Sequence, residues 1–158
     1  MRAGAAVLLV DDDATVRDSL RELLESEGFQ VITASEGEQA VKLAGKAVID
    51  LVLLDLNLLV QDGWDVFEAL GNALPLVPIL IITARPNQLF TALAAGAGAL
   101  LEKPVDIPVL LATMAELLAE NSDQKRARLA GRVTPFRYQG GRPAKARRRS
   151  PANRGGSQ

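Results

Sequence analysis

Apolar residues along this chain gather in five short runs, and each run leads into a segment of helical periodicity. Residues 5–10 form a continuous apolar run that ends in acid, the pattern of a strand buried on both faces. Val16, Leu20, Leu23 and Leu24 then recur at helical spacing, with Gly28 placed as the stop. Residues 30–34 alternate like a strand. Ser35 and Glu38 have capping-box spacing ahead of Ala40, Val41 and Leu43. Residues 51–54 make another buried run, again ending in acid at Asp55. Past Gly63, Trp64, Phe67 and Leu70 form a short helical face. Residues 77–82 are the third strongly apolar run and end at Thr83. Pro86 is placed to open a helix carrying Leu89, Leu93 and Phe90. Residues 99–101 lead into Glu102-Lys103-Pro104. A final helix has Pro108 near its start and an apolar stripe of Leu110, Leu111, Met114, Leu117 and Leu118. Five βα units in succession predict an α/β fold, a parallel sheet wound on both faces by helices.

The pattern fails at Asn121. Gly, Pro, Arg and Ala take over, and hydrophobic periodicity is lost. Residues 125–129 can extend the last helix by a turn or two, and disorder is expected beyond Gly131. The division is therefore a folded domain over residues 1–120 and a basic tail over 121–158, with no output domain. No repeat of solenoid period is visible.

Charge divides the chain at the same place. Residues 1–120 hold 7 Lys/Arg against 18 Asp/Glu, a net of −11, and residues 121–158 hold 11 Lys/Arg against Asp123 alone, a net of +10. The two sum to the overall −1, so an acidic body carries a basic tail suited to acidic partners or to its own domain. The chain has no Cys and no His. That removes disulfides, thiolate or imidazole metal ligands, a histidine general base and a Ser-His-Asp triad. Chemistry is left to carboxylates, amines, hydroxyls or a hard cation. The N-terminal run lacks signal-peptide features, and no stretch reaches the about 18 uncharged apolar residues of a membrane span. The expected location is cytoplasmic, with no membrane partner.

In a doubly wound sheet, ligands bind outside the carboxyl ends of the strands. That edge collects Asp11 and Asp12 after the first strand, Asp55 after the third, Thr83 after the fourth and Lys103 after the fifth. Clustered carboxylates repel and need a counter-charge. A hard cation supplies one, and Mg²⁺ suits a few carboxylates with waters and phosphate. An Asp carboxylate can attack phosphorus to give an aspartyl phosphate. The phosphoryl oxygens then require the metal, Lys103 and the Thr83 hydroxyl as partners.

These motifs resemble the receiver domain of two-component response regulators over residues 5–120. They are Leu9-Val10-Asp11-Asp12-Asp13, Leu53-Leu54-Asp55-Leu56-Asn57 through Asp62-Gly63, Ile82-Thr83-Ala84, and Ala95-Gly96-Ala97 to Lys103-Pro104. The resemblance implies a flavodoxin-like doubly wound sheet of five parallel strands, order 2-1-3-4-5, flanked by five helices. It implies a phosphorylation-controlled signalling switch that accepts a phosphoryl group on Asp55 from a sensor histidine kinase, a phosphotransfer protein or a small phosphodonor. Mg²⁺ would be held by Asp12, Asp55 and the backbone carbonyl of Asn57, with Asp11 holding a metal-bound water. Lys103 would pair with the phosphoryl group, Thr83 would move to hydrogen-bond it, and a cis bond before Pro104 would aim Lys103. Phosphate turnover on Asp55 would be self-directed, so the chain is not read as an enzyme. The signal would leave through protein–protein contacts with a downstream protein, on the face of the fourth helix, fifth strand and fifth helix.

Three positions depart from the family pattern. Leu58-Leu59 replace the usual Met-Pro, which implies a less rigid loop. Leu100 stands where the family has an aromatic switch residue, so a rotating ring does not carry the signal. Arg85, two residues past Thr83, is placed to hold phosphate or shield it from water.

Blander readings stand beside these. Asp13 reads as a helix N-cap, and Asp11 and Asp12 would read so too were they alone. Gly96-Ala97-Gly98 precedes a strand, so it is no dinucleotide fingerprint. Trp64 reads as partial core. Arg142, Lys145, Arg147, Arg148, Arg149 and Arg154 form a basic cluster able to meet nucleic-acid phosphate. With only Phe136 and Tyr138 to stack, a solvated tail is the better reading. Two rivals to the switch therefore remain: a phosphate-independent interaction module of the same fold, and a nucleic-acid-associated regulator acting through the tail. An intramolecular version lays the tail over the acidic pocket.

Overall fold

The computed structural model describes residues 4–130 and 137–140. Five βα units run in order: β1 Ala6–Val10, α1 Ala14–Ser26, β2 Gln30–Ala34, α2 Gly37–Ala44, β3 Leu51–Asp55, α3 Gly63–Ala73, β4 Ile79–Thr83, α4 Leu89–Ala95, β5 Ala99–Glu102 and α5 Ile107–Leu118. Two further elements follow, α6 Ser122–Leu129 and β6 Arg137–Gln139. All strand pairs are parallel, in the order β2-β1-β3-β4-β5-β6.

The apolar runs are continuous because both sheet faces are covered. Alternation along each strand sends neighbouring residues to opposite sides. Leu8, Val10, Val52, Leu54, Ile79, Ile81 and Leu100 pack on one side with Ala40 and Ala44 of α2, Val66, Phe67 and Leu70 of α3, and Ala92 of α4. Val7, Leu9, Leu51, Leu53, Leu80, Ile82 and Leu101 pack on the other with Leu24 of α1 and with Leu110, Met114 and Leu117 of α5.

Three helices begin on an aspartate whose side chain accepts first-turn N–H groups: Asp13 for α1, Asp62 for α3 and Asp106 for α5. The predicted capping box at Ser35 and Glu38 does not form. α2 starts at Gly37 with Glu36 as an uncapped N-cap. Instead Gln39 reaches back, and the Ser35 N–H donates to its Oε1 at 3.0 Å. Pro86 precedes α4 without opening it, and Phe90 points outward at 83% exposure. Gly28 does close α1, at φ 92.

Among the described residues the sheet has six strands, not five, and there are six helices. Residues 125–129 do not extend α5. They belong to a separate helix opened by a reciprocal cap, in which the Gln124 N–H donates to Asn121 Oδ1 at 2.8 Å and the Asn121 N–H donates to Gln124 Oε1 at 3.0 Å. Asn121-x-x-Gln124 was legible as a start signal. Residues 137–139 correct the expectation of disorder beyond Gly131 by adding β6 to β5, Ala99↔Arg137 through Leu101↔Gln139. An Arg-Tyr-Gln edge strand has no apolar period to betray it, because only β5 requires it. The remaining tail, residues 131–136 and 141–158, lies outside the described residues.

Gly63 brings the head of α3 against the loop that leaves Asp55. A Cβ there would sit 2.4 Å from both Cα and the carbonyl oxygen of Leu56. Backbone cannot swing aside as a side chain can. Gly63→Ala should therefore destabilise the fold by about 2 kcal/mol, read as a lower denaturation midpoint; an unchanged midpoint would show the loop yields freely.

Candidate functional site

Parallel register brings the strand ends level. Val10 pairs with Leu54, Asp55 with Ile82, and Thr83 with Glu102. Asp11 and Asp12 follow β1, Asp55 and Thr83 end β3 and β4, and Lys103 follows β5, so all five groups meet at one edge. They come from four different strand ends, and only the sheet joins them.

Asp55, 4% exposed, is held at both oxygens. Its Oδ2 meets Lys103 Nζ at 2.8 Å, and its Oδ1 accepts the Asn57 N–H at 2.8 Å. Asp11 is also buried. Its Oδ1 accepts the Asp13 N–H at 2.9 Å, and its Oδ2 lies 3.9 Å from Lys103 Nζ. Carboxylate oxygens of Asp11, Asp12 and Asp55 lie within 4.8 Å of one another. Three carboxylates this close suit a hard divalent cation with oxygen ligands.

Electrostatics follow from that crowding. Burial pushes the Asp11 carboxyl above its ordinary value, and the charges of Asp55 and Asp12 add to the effect against the Asp13 amide and Lys103. Burial works against the Lys103 ammonium, but the hydrogen bond and charge of Asp55, with Asp11 and Asp12 behind it, raise it above the ordinary lysine value. Lys103 thus stays charged throughout the neutral range.

Thr83 is fully buried, and its Oγ1 accepts the Arg85 N–H at 3.0 Å. The Arg85 guanidinium is engaged by the loop after β3. Its Nε donates to Asn57 Oδ1 at 3.0 Å, and its Nη1 lies 3.7 Å from Asp62 Oδ1. Arg85 therefore clasps the loop after β3. No local pattern marks that clasp or a second one: the Leu59 N–H donates to Asp12 Oδ2 at 3.1 Å across 47 residues. Leu58 is buried in the core. The loop expected to be less rigid is anchored at three points. Leu100 is a fully buried core residue beside Ile81 and Ala92. The Lys103–Pro104 bond is cis. Trp64 is half-buried, edge-on to Phe67 at 5.4 Å, with its indole N–H on Gln88 Oε1 at 2.8 Å.

A doubly wound parallel sheet with an acidic triad, a lysine and a threonine at its carboxyl edge defines a phosphoryl-accepting switch module. The chain belongs to the response regulator receiver domain family, whose model matches residues 7–115. It is 40% identical over 114 residues to the transcriptional regulatory protein CpxR of Escherichia coli (strain K12), covering 71% of this chain and 48% of that protein. The chain thus spans about half the length of that curated relative. Among solved structures it resembles a CheY-like receiver domain protein from Methanospirillum hungatei JF-1, with TM-score 0.70, 27% identity, and coverage of 78% of this chain and 97% of that one. It also resembles the response regulator TrrA from Thermotoga maritima, solved in complex with Mg²⁺-BeF, with TM-score 0.65, 27% identity, and coverage of 72% and 98%. The domain is accordingly a phosphorylation-controlled switch of two-component signalling. Among the described residues no helix is long and apolar enough to cross a membrane.

Proposed function

We propose that Asp55 is the phosphoacceptor of this switch. The observation that carries the reading is the 2.8 Å Lys103–Asp55 pair at the centre of the acidic cluster. A carboxylate oxygen of Asp55 attacks phosphorus, forming an O–P bond as the P–N bond of a phosphohistidine or the P–O bond of acetyl phosphate breaks. Lys103 receives the developing phosphoryl charge, and the Thr83 hydroxyl turns to donate to it. Asp12, Asp55 and the Asn57 carbonyl would hold Mg²⁺, with Asp11 acting through a water. When bound, the ion offsets carboxylate repulsion and neutralises phosphoryl charge. The donor is a histidine kinase or phosphotransfer protein, and the signal passes to a downstream protein.

Incubation with Mg²⁺ and acetyl phosphate should add one phosphoryl group by mass, and beryllofluoride should change Trp64 emission. Absence of both would reject the reading. Mg²⁺ at a hundredfold excess over its Kd should stabilise the folded chain by about 2.7 kcal/mol. Asp12→Asn should remove most of that gain in a thermal melt; an equal gain in the variant would place the cation elsewhere.

One observation favours a second reading. With Leu100 locked in the core, the surface could engage a partner without phosphate. Partner affinity unchanged by Asp55→Ala would select this alternative. The tail-borne nucleic-acid reading concerns the cluster at residues 142–154, outside the described residues. Arg137 is already paired with Glu116.

A further inference from the structure

The edge of β5 would end the sheet if the fold stopped at α5. An open edge invites pairing with another strand. Here β6 covers it, and β6 comes from the same chain, 35 residues beyond the end of β5 by number, Glu102 to Arg137. Beside the ladder with β5, two side-chain contacts hold it among the described residues. Arg137 Nε pairs with Glu116 Oε2 of α5, and the Tyr138 hydroxyl donates to Glu102 Oε1 at 2.9 Å. Tyr138 remains 46% exposed, and a Cβ on Gly140 would come within 3.1 Å of its hydroxyl, so Gly140 lets the ring lie over its backbone.

The strand is not built for permanence. It is three residues long, and among the described residues the Gln139 Oε1 is buried without a hydrogen-bond partner. That unmet acceptor opposes the closed arrangement. A three-residue edge strand that, among the described residues, adds two side-chain contacts to its ladder and carries a buried orphan is a strap that can lift.

Its second contact joins it to the acidic pocket. Glu102 precedes Lys103, the partner of Asp55, and sits opposite Thr83 in the β4–β5 register. The Lys103 N–H donates to the Thr83 carbonyl at 2.8 Å. Glu102, which accepts from Tyr138, is therefore flanked, along the chain and across the sheet, by the two groups that meet a phosphoryl group.

We infer that the outer edge of β5 is a strand-docking site occupied by this chain's own residues 137–139, and that loading of Asp55 releases them. The release rests on the reading of Asp55 as phosphoacceptor. When Lys103 and Thr83 turn to the phosphoryl group, Glu102 shifts with them and the Tyr138 contact is lost. Coupling of this kind is reciprocal: whatever loosens the strap favours the loaded pocket by the same factor.

Hydrogen exchange on the full chain tests both halves. In the wild-type protein without phosphate mimic, the segment at residues 137–139 should exchange slowly, and Arg137→Glu, which sets like charges against Glu116, should abolish that protection. Unprotected exchange in the wild type would overturn the strap itself. Mg²⁺ with beryllofluoride should speed exchange at 137–139 by about fivefold, the low end of ordinary coupling, and Tyr138→Phe should tighten beryllofluoride binding by about the same factor. Loading that changes Trp64 emission but leaves exchange at 137–139 unaltered would overturn the release. Failure of the wild type to bind beryllofluoride at all would instead overturn the phosphoacceptor reading, and the release with it, while the protection measured without mimic still judges the strap.

Discussion

Asp55→Asn should abolish phosphoryl loading: in Mg²⁺ and acetyl phosphate the variant gains no mass adduct, while the wild-type chain gains one. The amide keeps the shape of the side chain and can still accept the Asn57 N–H. It has no anionic oxygen with which to attack phosphorus. The fold should persist, because the change removes one of three mutually repelling carboxylates that lie within 4.8 Å of one another. A melt confirms that persistence, so lost loading cannot be blamed on unfolding. An adduct forming on the variant at the wild-type rate would move the phosphoacceptor away from Asp55.

Lys103→Ala should slow loading by about 100-fold, the usual consequence of removing one donor aimed at developing charge. Lys103 Nζ lies 2.8 Å from Asp55 and 3.9 Å from Asp11. Truncation leaves both buried carboxylates without this counter-charge. The variant should also be less stable without metal, and Mg²⁺ should restore part of the loss. The sign of the pH dependence follows from the raised Lys103 value. Its stabilisation is fully present below the ordinary lysine range and disappears only as pH climbs through the higher folded-state value. Wild-type and variant stabilities should therefore differ across the neutral range and converge in strong alkali. Loading at the wild-type rate would show that Lys103 is only a structural ion pair.

Much of the fold was written in one dimension. Continuous apolar runs at β1, β3, β4 and β5 require cover on both faces, and helical stripes between them supply it. A parallel sheet then has few topologies open to it. The aspartates, threonine and lysine at the strand ends were legible because each sits just past an apolar run. Their convergence needed only the rule that such ends share one edge.

Other features depend on distance across the chain, to which a linear pattern is blind. Arg85 turns to Asn57 and Asp62, and Leu59 donates its amide to Asp12, because α3 and β4 happen to bring those groups within reach. Ser35 pairs with Gln39 and not Glu38 because α2 begins one residue later than the capping box would place it.

By itself the sequence determined the class of fold, the five polar groups of the pocket and the change of character at Asn121. Hydrophobic burial is strong and periodic, and charge is countable, so both survive in a string of letters. Only the tertiary structure decided that the loop after Asp55 is anchored, that Leu100 is core, and that Arg-Tyr-Gln at 137–139 completes the sheet. A polar edge strand buries little and has no period of its own. Its place is set by the free hydrogen-bonding edge of β5, which exists only once the other five strands have assembled.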